Sequence, residues 1–262
     1  MKKKILYLLT CVGLCWSSCT NEVDEFIGNV EPSTRSVSTA LNANLASLFT
    51  GGAPTLTSAE IKEVNDAYAK MTSINCYRNI DEAVRNKTSY AGTIFLDDTY
   101  ASAYFRKGSL AFPPYGILAS SMEHEFIHMY QRDVQGKKVD TDKEKRDTGM
   151  MEFELAFYQG IIRYIHAGYS WTFKSEAGAT TYQSLWTSGL TDPSLIPQYE
   201  REFQTYVASI CANGKPTSID INEFVKWSNI FGEYSRGYSG KGYKFGNYDY
   251  GTSCINSLLK LY

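Results

Sequence analysis

Apolar residues recur at helical spacing through much of the chain. Between residues 57 and 71, Ile61, Val64 and Tyr68 share one face behind a Thr-Ser-Ala-Glu start, which predicts a capped helix. The same reasoning predicts helices at residues 80–85, 117–135, 150–167, 197–212 and 220–230. Residues 90–96 and 101–106 instead have the composition of short strands. We therefore expect an α+β fold, mainly helical, with a small sheet before the helix at 117–135.

The segment 117–135 carries the most informative motif. No Gly or Pro interrupts it and most of its residues are apolar, which predicts a buried helix. Within it, His124, Glu125 and His128 form an H-E-x-x-H sequence, and the whole chain has 3 histidines. Because residues four apart lie on one helix face, both imidazoles would reach one point, as ligands of a Zn²⁺ ion do. Glu125 would stand beside the open side of the ion and take a proton from zinc-bound water. The alternative is a core helix with two hydrogen-bonded histidines.

A zinc site of this kind needs a third protein ligand, and the apolar helix at 150–167 supplies candidates. Glu152 follows His128 by 24 residues, enough for a loop and an antiparallel return. Glu154 is two residues further on, about 200° round the helix, so the two carboxylates cannot both face one ion. His166 is another candidate, although a role at the helix C-terminus near Gly168 is simpler for it.

These residues resemble the zinc site of the zincin metallopeptidases, in particular the gluzincin type, over the two helices. Their third ligand is a Glu in an E-x-E-A-like run on a following helix, and residues 152–156 are similar, with one extra residue before the Ala. The resemblance implies a Zn²⁺ cofactor held by His124, His128 and Glu152, with Glu154 as the alternative ligand and Glu125 as the catalytic base. It also implies a zincin-like fold, with an edge strand before the motif that pairs with a peptide or protein substrate, and a helical C-terminal lobe.

The N-terminus predicts export from the cytoplasm. Three lysines and the apolar run that follows them are typical of a signal peptide over residues 1–18. The small residues before Cys19 resemble the lipobox of bacterial lipoproteins, which implies a lipid on Cys19 and attachment to the cell envelope at the outer membrane. Acidic residues after Cys19 either resemble a signal for surface exposure or form a plain polar tether. Residues 19–39 are then a flexible linker, and residues 40–262 are the metallopeptidase domain.

Charge and cysteine content indicate which partners and which disulfides to expect. Removal of residues 1–18 takes away three lysines and no acidic residue, which moves the formal net charge from −2 to −5. No basic cluster remains, so we expect no nucleic-acid partner. Beyond the N-terminal region, Cys76, Cys211 and Cys254 are compatible with one disulfide and one free thiol, or with three buried thiols.

The stretch from Tyr234 to Gly251 is dense in Tyr and Gly. Its aromatic side chains either line the rim of a binding cleft or pack on the core. This stretch supports an alternative function, a surface lipoprotein that binds a ligand on a zincin-like scaffold and has no peptidase activity. The intact His-Glu-His triplet favours zinc-dependent peptide-bond hydrolysis by a membrane-anchored enzyme instead.

Overall fold

The computed structural model describes residues 40–100, 102–137, 145–169, 172–175, 178–181, 194, 196–234, 243, 245–246 and 251–262. Helices α1 to α8 span Ala43–Leu48, Ser58–Ser73, Asn75–Lys87, Ala119–Met129, Lys145–His166, Ile196–Ile210, Ile221–Tyr234 and Gly251–Lys260. Strands β1 to β5 span Ile94–Leu96, Tyr104–Arg106, Ser109–Phe112, Thr172–Ser175 and Gly178–Thr181. The predicted fold class, α+β and mainly helical with a small sheet, is confirmed.

Helix α2 begins where the sequence predicts. The backbone N–H of Glu60 donates to the Thr57 hydroxyl at 3.3 Å, and the Glu60 carboxylate accepts from the Thr57 backbone N–H at 2.6 Å. These two bonds satisfy two of the amides that a helix start leaves without partners. Val64 and Tyr68 on the predicted face are buried in the core.

The small sheet has the order β1-β3-β2. Its central strand β3 is parallel to β1 and antiparallel to β2, and the sequence did not predict it. The turn between β2 and β3 places Lys107 and Gly108 at φ 50° and 79°. Two successive positive φ angles make the tight hairpin turn whose twist matches that of the strands, and glycine reaches this region at little cost. This hairpin leaves β2 at one edge of the sheet, in contact with α4.

Helix α4 carries the H-E-x-x-H sequence and packs against α2, α3 and α5. Met122, Phe126, Ile127 and Met129 on it are fully buried, as the apolar pattern predicts. The prediction of one regular helix to residue 135 is wrong, because α-helical bonding stops at Met129 and a π-helical turn, Tyr130–Val134, continues the element. The Gln135 N–H bonds to the carbonyl of Tyr130, five residues back, at 3.1 Å.

Helix α5 is the longest element described and lies between α4 and the C-terminal helices α6, α7 and α8. The rings of Phe153 and Phe157 stack with centroids 5.6 Å apart. Phe224 of α7 lies 5.0 Å from the Phe153 ring, and Phe203 of α6 lies 5.5 Å from the Phe157 ring. These contacts fix which face of α5 turns to the helical lobe, and so fix which face turns to α4.

The remaining predictions have mixed outcomes. Cys76 and Cys211 are free, buried thiols, in agreement, for these two residues, with the alternative of three buried thiols. Helices α1 and α8 were not predicted. The signal peptide, Cys19, the linker to residue 39, the side chain of Cys254 and most of the Tyr- and Gly-rich stretch lie outside the described residues. Among the described helices, none has both the length and the apolar character that a membrane span needs.

Candidate metal centre

Three predicted ligands meet between α4 and α5. The Nε2 atoms of His124 and His128 are 3.1 Å apart. Oε1 of Glu152 lies 3.3 Å from Nε2 of His128, and Oε2 of Glu152 lies 3.6 Å from Nε2 of His124. Within the described part of the chain, the side chains of these three residues lie close enough together to hold a metal ion.

The spacing of these atoms fits one ion of the size of zinc. Four ligands at about 2.0–2.1 Å in a tetrahedron lie about 3.3 Å from one another. The two Nε2 atoms are 3.1 Å apart, and each has one oxygen of Glu152 at a similar distance, 3.3 Å for His128 and 3.6 Å for His124. Two imidazoles and one carboxylate, with the fourth position open, are also the donor set of catalytic zinc sites, whereas structural sites have four protein ligands and often use Cys. The donor set and its geometry therefore fit the ion that the sequence predicts.

Without a metal, the two histidines have opposite electrostatic properties. Burial lowers the pKa of His124 to about 4, and the nearby charge of His128 adds to the effect. Burial also disfavours the charged form of His128, but the negative charge and hydrogen bond of Glu152 outweigh it and raise the pKa of His128 to about 9. The metal-free centre thus holds one positive charge on His128 beside Glu152, where a bound cation would replace that proton.

Glu125 is buried and faces strand β2. Burial raises the pKa of its carboxyl to about 8, against the charge of His128 and a hydrogen bond from the backbone N–H of Phe105. A carboxyl with a pKa raised toward neutrality is suited to accept a proton and to return it. The contact with Phe105 also joins the motif to the edge strand of the sheet.

Glu154 does not face the two imidazoles. It is fully buried, and its Oε2 accepts a hydrogen bond from Nε2 of Gln131 at 2.9 Å. Gln131 in turn places Oε1 2.9 Å from Nδ1 of His128. Glu154 is therefore connected to the centre from behind His128, and the structure brings Glu152 to the position of the third ligand.

His166 lies apart from this group. It is exposed in the last turn of α5, 5.9 Å between ring centroids from Tyr262. The chain leaves the helix just beyond it through Gly168 at φ 71°, with the Tyr169 N–H bonded to the carbonyl of Tyr164. This is a common way for a helix to end, and it agrees with the simpler role that the sequence suggested for His166.

Sequence reasoning missed two contributors to the centre. Gln131 lies three residues after His128, a spacing at which helix side chains are neighbours, so the signal was present. The backbone N–H of Phe105 carries no side-chain signal, and only the packing of β2 against α4 shows that it reaches Glu125.

No family profile, curated protein or solved structure matches this chain. The function is therefore inferred from the centre itself.

Proposed function

We propose that this protein is a zinc-dependent metallopeptidase of the zincin type. The observation that carries the proposal is the close approach of three potential ligands: the Nε2 atoms of His124 and His128 lie 3.1 Å apart, and the carboxylate of Glu152 has one oxygen 3.6 Å from the first and the other 3.3 Å from the second. Glu125 adds the base that hydrolysis needs. It is buried, follows His124 in the sequence, and lies close enough to His128 and Glu152 for their charges to shift its pKa.

His124, His128 and Glu152 would hold the metal, whose chemistry is to polarise the scissile carbonyl and to make water acidic enough to attack near neutral pH. Glu125 accepts the proton of the attacking water on its carboxylate. It then donates that proton to the leaving amine, a role favoured by burial, which raises the pKa of this carboxyl above its usual value. The bond from Phe105 N–H keeps the carboxylate oriented while its protonation changes.

The free edge of β2 supports a peptide as the substrate. Strand β2 pairs with β3 on one side, and the described sheet has no strand on its other side. The N–H of Phe105 on that side donates to Glu125, so this edge of the sheet lies beside the proposed base. An extended peptide that adds to this edge would bring its carbonyl groups past the three ligands. The proposal keeps the N-terminal prediction of a lipid-anchored protein in the cell envelope.

The deciding experiment compares the parent with Glu125→Gln. The variant keeps the size and burial of the side chain and removes the base, so it should hold one equivalent of zinc but hydrolyse a mixed peptide library at least about 100-fold more slowly. Zinc is measured by elemental analysis after dialysis in buffer without chelator, and cleavage by mass spectrometry. Equal turnover by parent and variant would refute the mechanism. A parent that holds less than half an equivalent of zinc would favour the ligand-binding alternative.

A further inference from the structure

A chain of hydrogen bonds runs from the far side of the His128 ring to helix α5. Nδ1 of His128 lies 2.9 Å from Oε1 of Gln131. Nε2 of Gln131 donates to the backbone carbonyl of Met151 at 3.1 Å and to Oε2 of Glu154 at 2.9 Å. Gln131 and Glu154 are fully buried, so water does not compete for these bonds.

The two groups on α5 determine the direction of every bond in the chain. A backbone carbonyl is an acceptor only, so the group of Gln131 that faces Met151 must be the NH₂. The amide oxygen of Gln131 consequently faces His128 and accepts. Nδ1 of His128 must then carry a hydrogen, so Nε2 is the atom that offers its lone pair to the point shared with His124 and Glu152 once a cation has displaced its proton.

The π-helical turn contributes to this geometry. It begins directly after Met129 and contains Gln131, so the helix is widened where this side chain leaves it. Lys137 donates its backbone N–H to the carbonyl of Gln131 at 3.0 Å, which holds the backbone of this residue from the other side. Such turns occur preferentially at functional sites.

We propose that Gln131 is a positioning residue for the metal: held by Glu154 and by the Met151 carbonyl, it fixes the Nδ1–H form and the ring orientation of His128, so that Nε2 points at the ion. The inference rests on the proposed function, since it assigns Gln131 a part in the same centre. Glu154 acts through Gln131 and is not a ligand.

The test measures zinc affinity by chelator competition for the parent and for Gln131→Met. The matched control is Gln159→Met, because Gln159 is a buried glutamine about two turns beyond Glu152 on the same helix. We expect Gln131→Met to weaken zinc binding about 10- to 100-fold, as loss of a partner behind a ligating histidine does, and Gln159→Met to change it less than about twofold. Zinc binding by Gln131→Met within twofold of the parent would overturn the proposal.

A second measurement does not depend on zinc. Nitrogen-edited NMR of the chelator-treated protein should show an Nδ1–H proton of His128 that exchanges slowly with water, whereas in Gln131→Met this proton should exchange too fast to be observed. A parent His128 with no protected Nδ1–H would overturn the proposal even if zinc binds. If the parent shows this proton and binds no zinc, the proposed function fails while the hydrogen-bond chain stands.

Two further variants keep the proposal testable if Gln131→Met does not fold. The double change Gln131→Met with Glu154→Leu replaces both partners by apolar groups and avoids a buried carboxylate that has lost its donor. It should fold and weaken zinc binding as the single change does. Glu154→Gln keeps an oxygen that accepts from Gln131, so it should retain affinity within about threefold. A double variant with parental zinc affinity, or Glu154→Gln with a loss as large as that expected for Gln131→Met, would overturn the proposal.

Discussion

The contact between Glu152 and His128 makes a prediction for the metal-free protein. Replacement of Glu152 by Gln removes a negative charge 3.3 Å from Nε2 of His128. Two unit charges at this distance attract by about 5 kcal/mol at an effective dielectric constant of about 20. The elevation of the His128 pKa from 6.5 to about 9 corresponds to only about 3 kcal/mol. The attraction exceeds the net elevation because burial lowers the pKa of His128 at the same time. Without the charge of Glu152 only the effect of burial remains large, so the pKa of His128 in Glu152→Gln should fall to 6.5 or below.

The assay is an NMR titration of the histidine rings after treatment with a chelator. The sequence has 3 histidines, and exposed His166 gives an internal reference, so assignment is simple. The matched control is Glu154→Gln, which makes the same replacement two residues away, at a carboxyl group that is bonded to Gln131 and not to an imidazole. The control should lower the pKa of His128 by less than half as much. A His128 pKa that stays above 8 in Glu152→Gln, or that falls further in Glu154→Gln, would refute the assignment of Glu152 as the third ligand.

Three further predictions test the centre and its support. Removal of zinc by a chelator should lower the melting temperature measured by calorimetry. Zinc added at about 1,000 times its dissociation constant should raise the free energy of unfolding by roughly 4 kcal/mol. A melting temperature that does not change would contradict the metal site. In the metal-free protein, folding raises the Glu125 pKa to about 8, so its stabilising proton is lost as pH rises through that value. The melting temperature of the parent should therefore fall relative to Glu125→Gln as pH rises from about 4.5 to about 8, and parallel curves would argue against a buried carboxyl. Arg132→Met removes a guanidinium that lies 4.2 Å from the Phe105 ring centroid, and should cost about 1–2 kcal/mol in urea unfolding without a change in zinc affinity.

The sequence predicted what depends on local signals. The start of α2 follows from a capping box within four residues, and the approach of His124 and His128 follows from helix geometry alone. Strand β3 was missed because a four-residue strand is defined by its partners on both sides and not by its own pattern. The π-helical turn was missed for a similar reason, since its five-residue bonding is imposed by packing and the local sequence favours a regular helix equally well.

The third ligand shows where local signals end. Glu152 and Glu154 lie about 200° apart on one helix. Helix geometry therefore excludes that both carboxylates bind one ion, but it does not decide which of them binds. The choice depends on the rotation of α5 against α4. That rotation is fixed on the opposite side of the helix, where Phe153 and Phe157 pack against Phe224 and Phe203. Residues far from the metal centre in sequence therefore decide which carboxylate reaches it.

Gln131 and Arg132, which follow the motif, contact different parts of the centre. Gln131 turns to α5 and holds His128, whereas Arg132 turns to the sheet and lies over the ring of Phe105, whose N–H donates to Glu125. The first contact orients a proposed ligand, and the second contacts the strand whose N–H bonds to the proposed base. Substitution of Gln131 should therefore weaken zinc binding first, while substitution of Arg132 should lower turnover in protein that is fully loaded with zinc. Gln131 and Arg132 are adjacent in the sequence but leave the helix in different directions. If substitution of either residue weakened zinc binding equally, the ligands and the strand would not be supported by separate contacts.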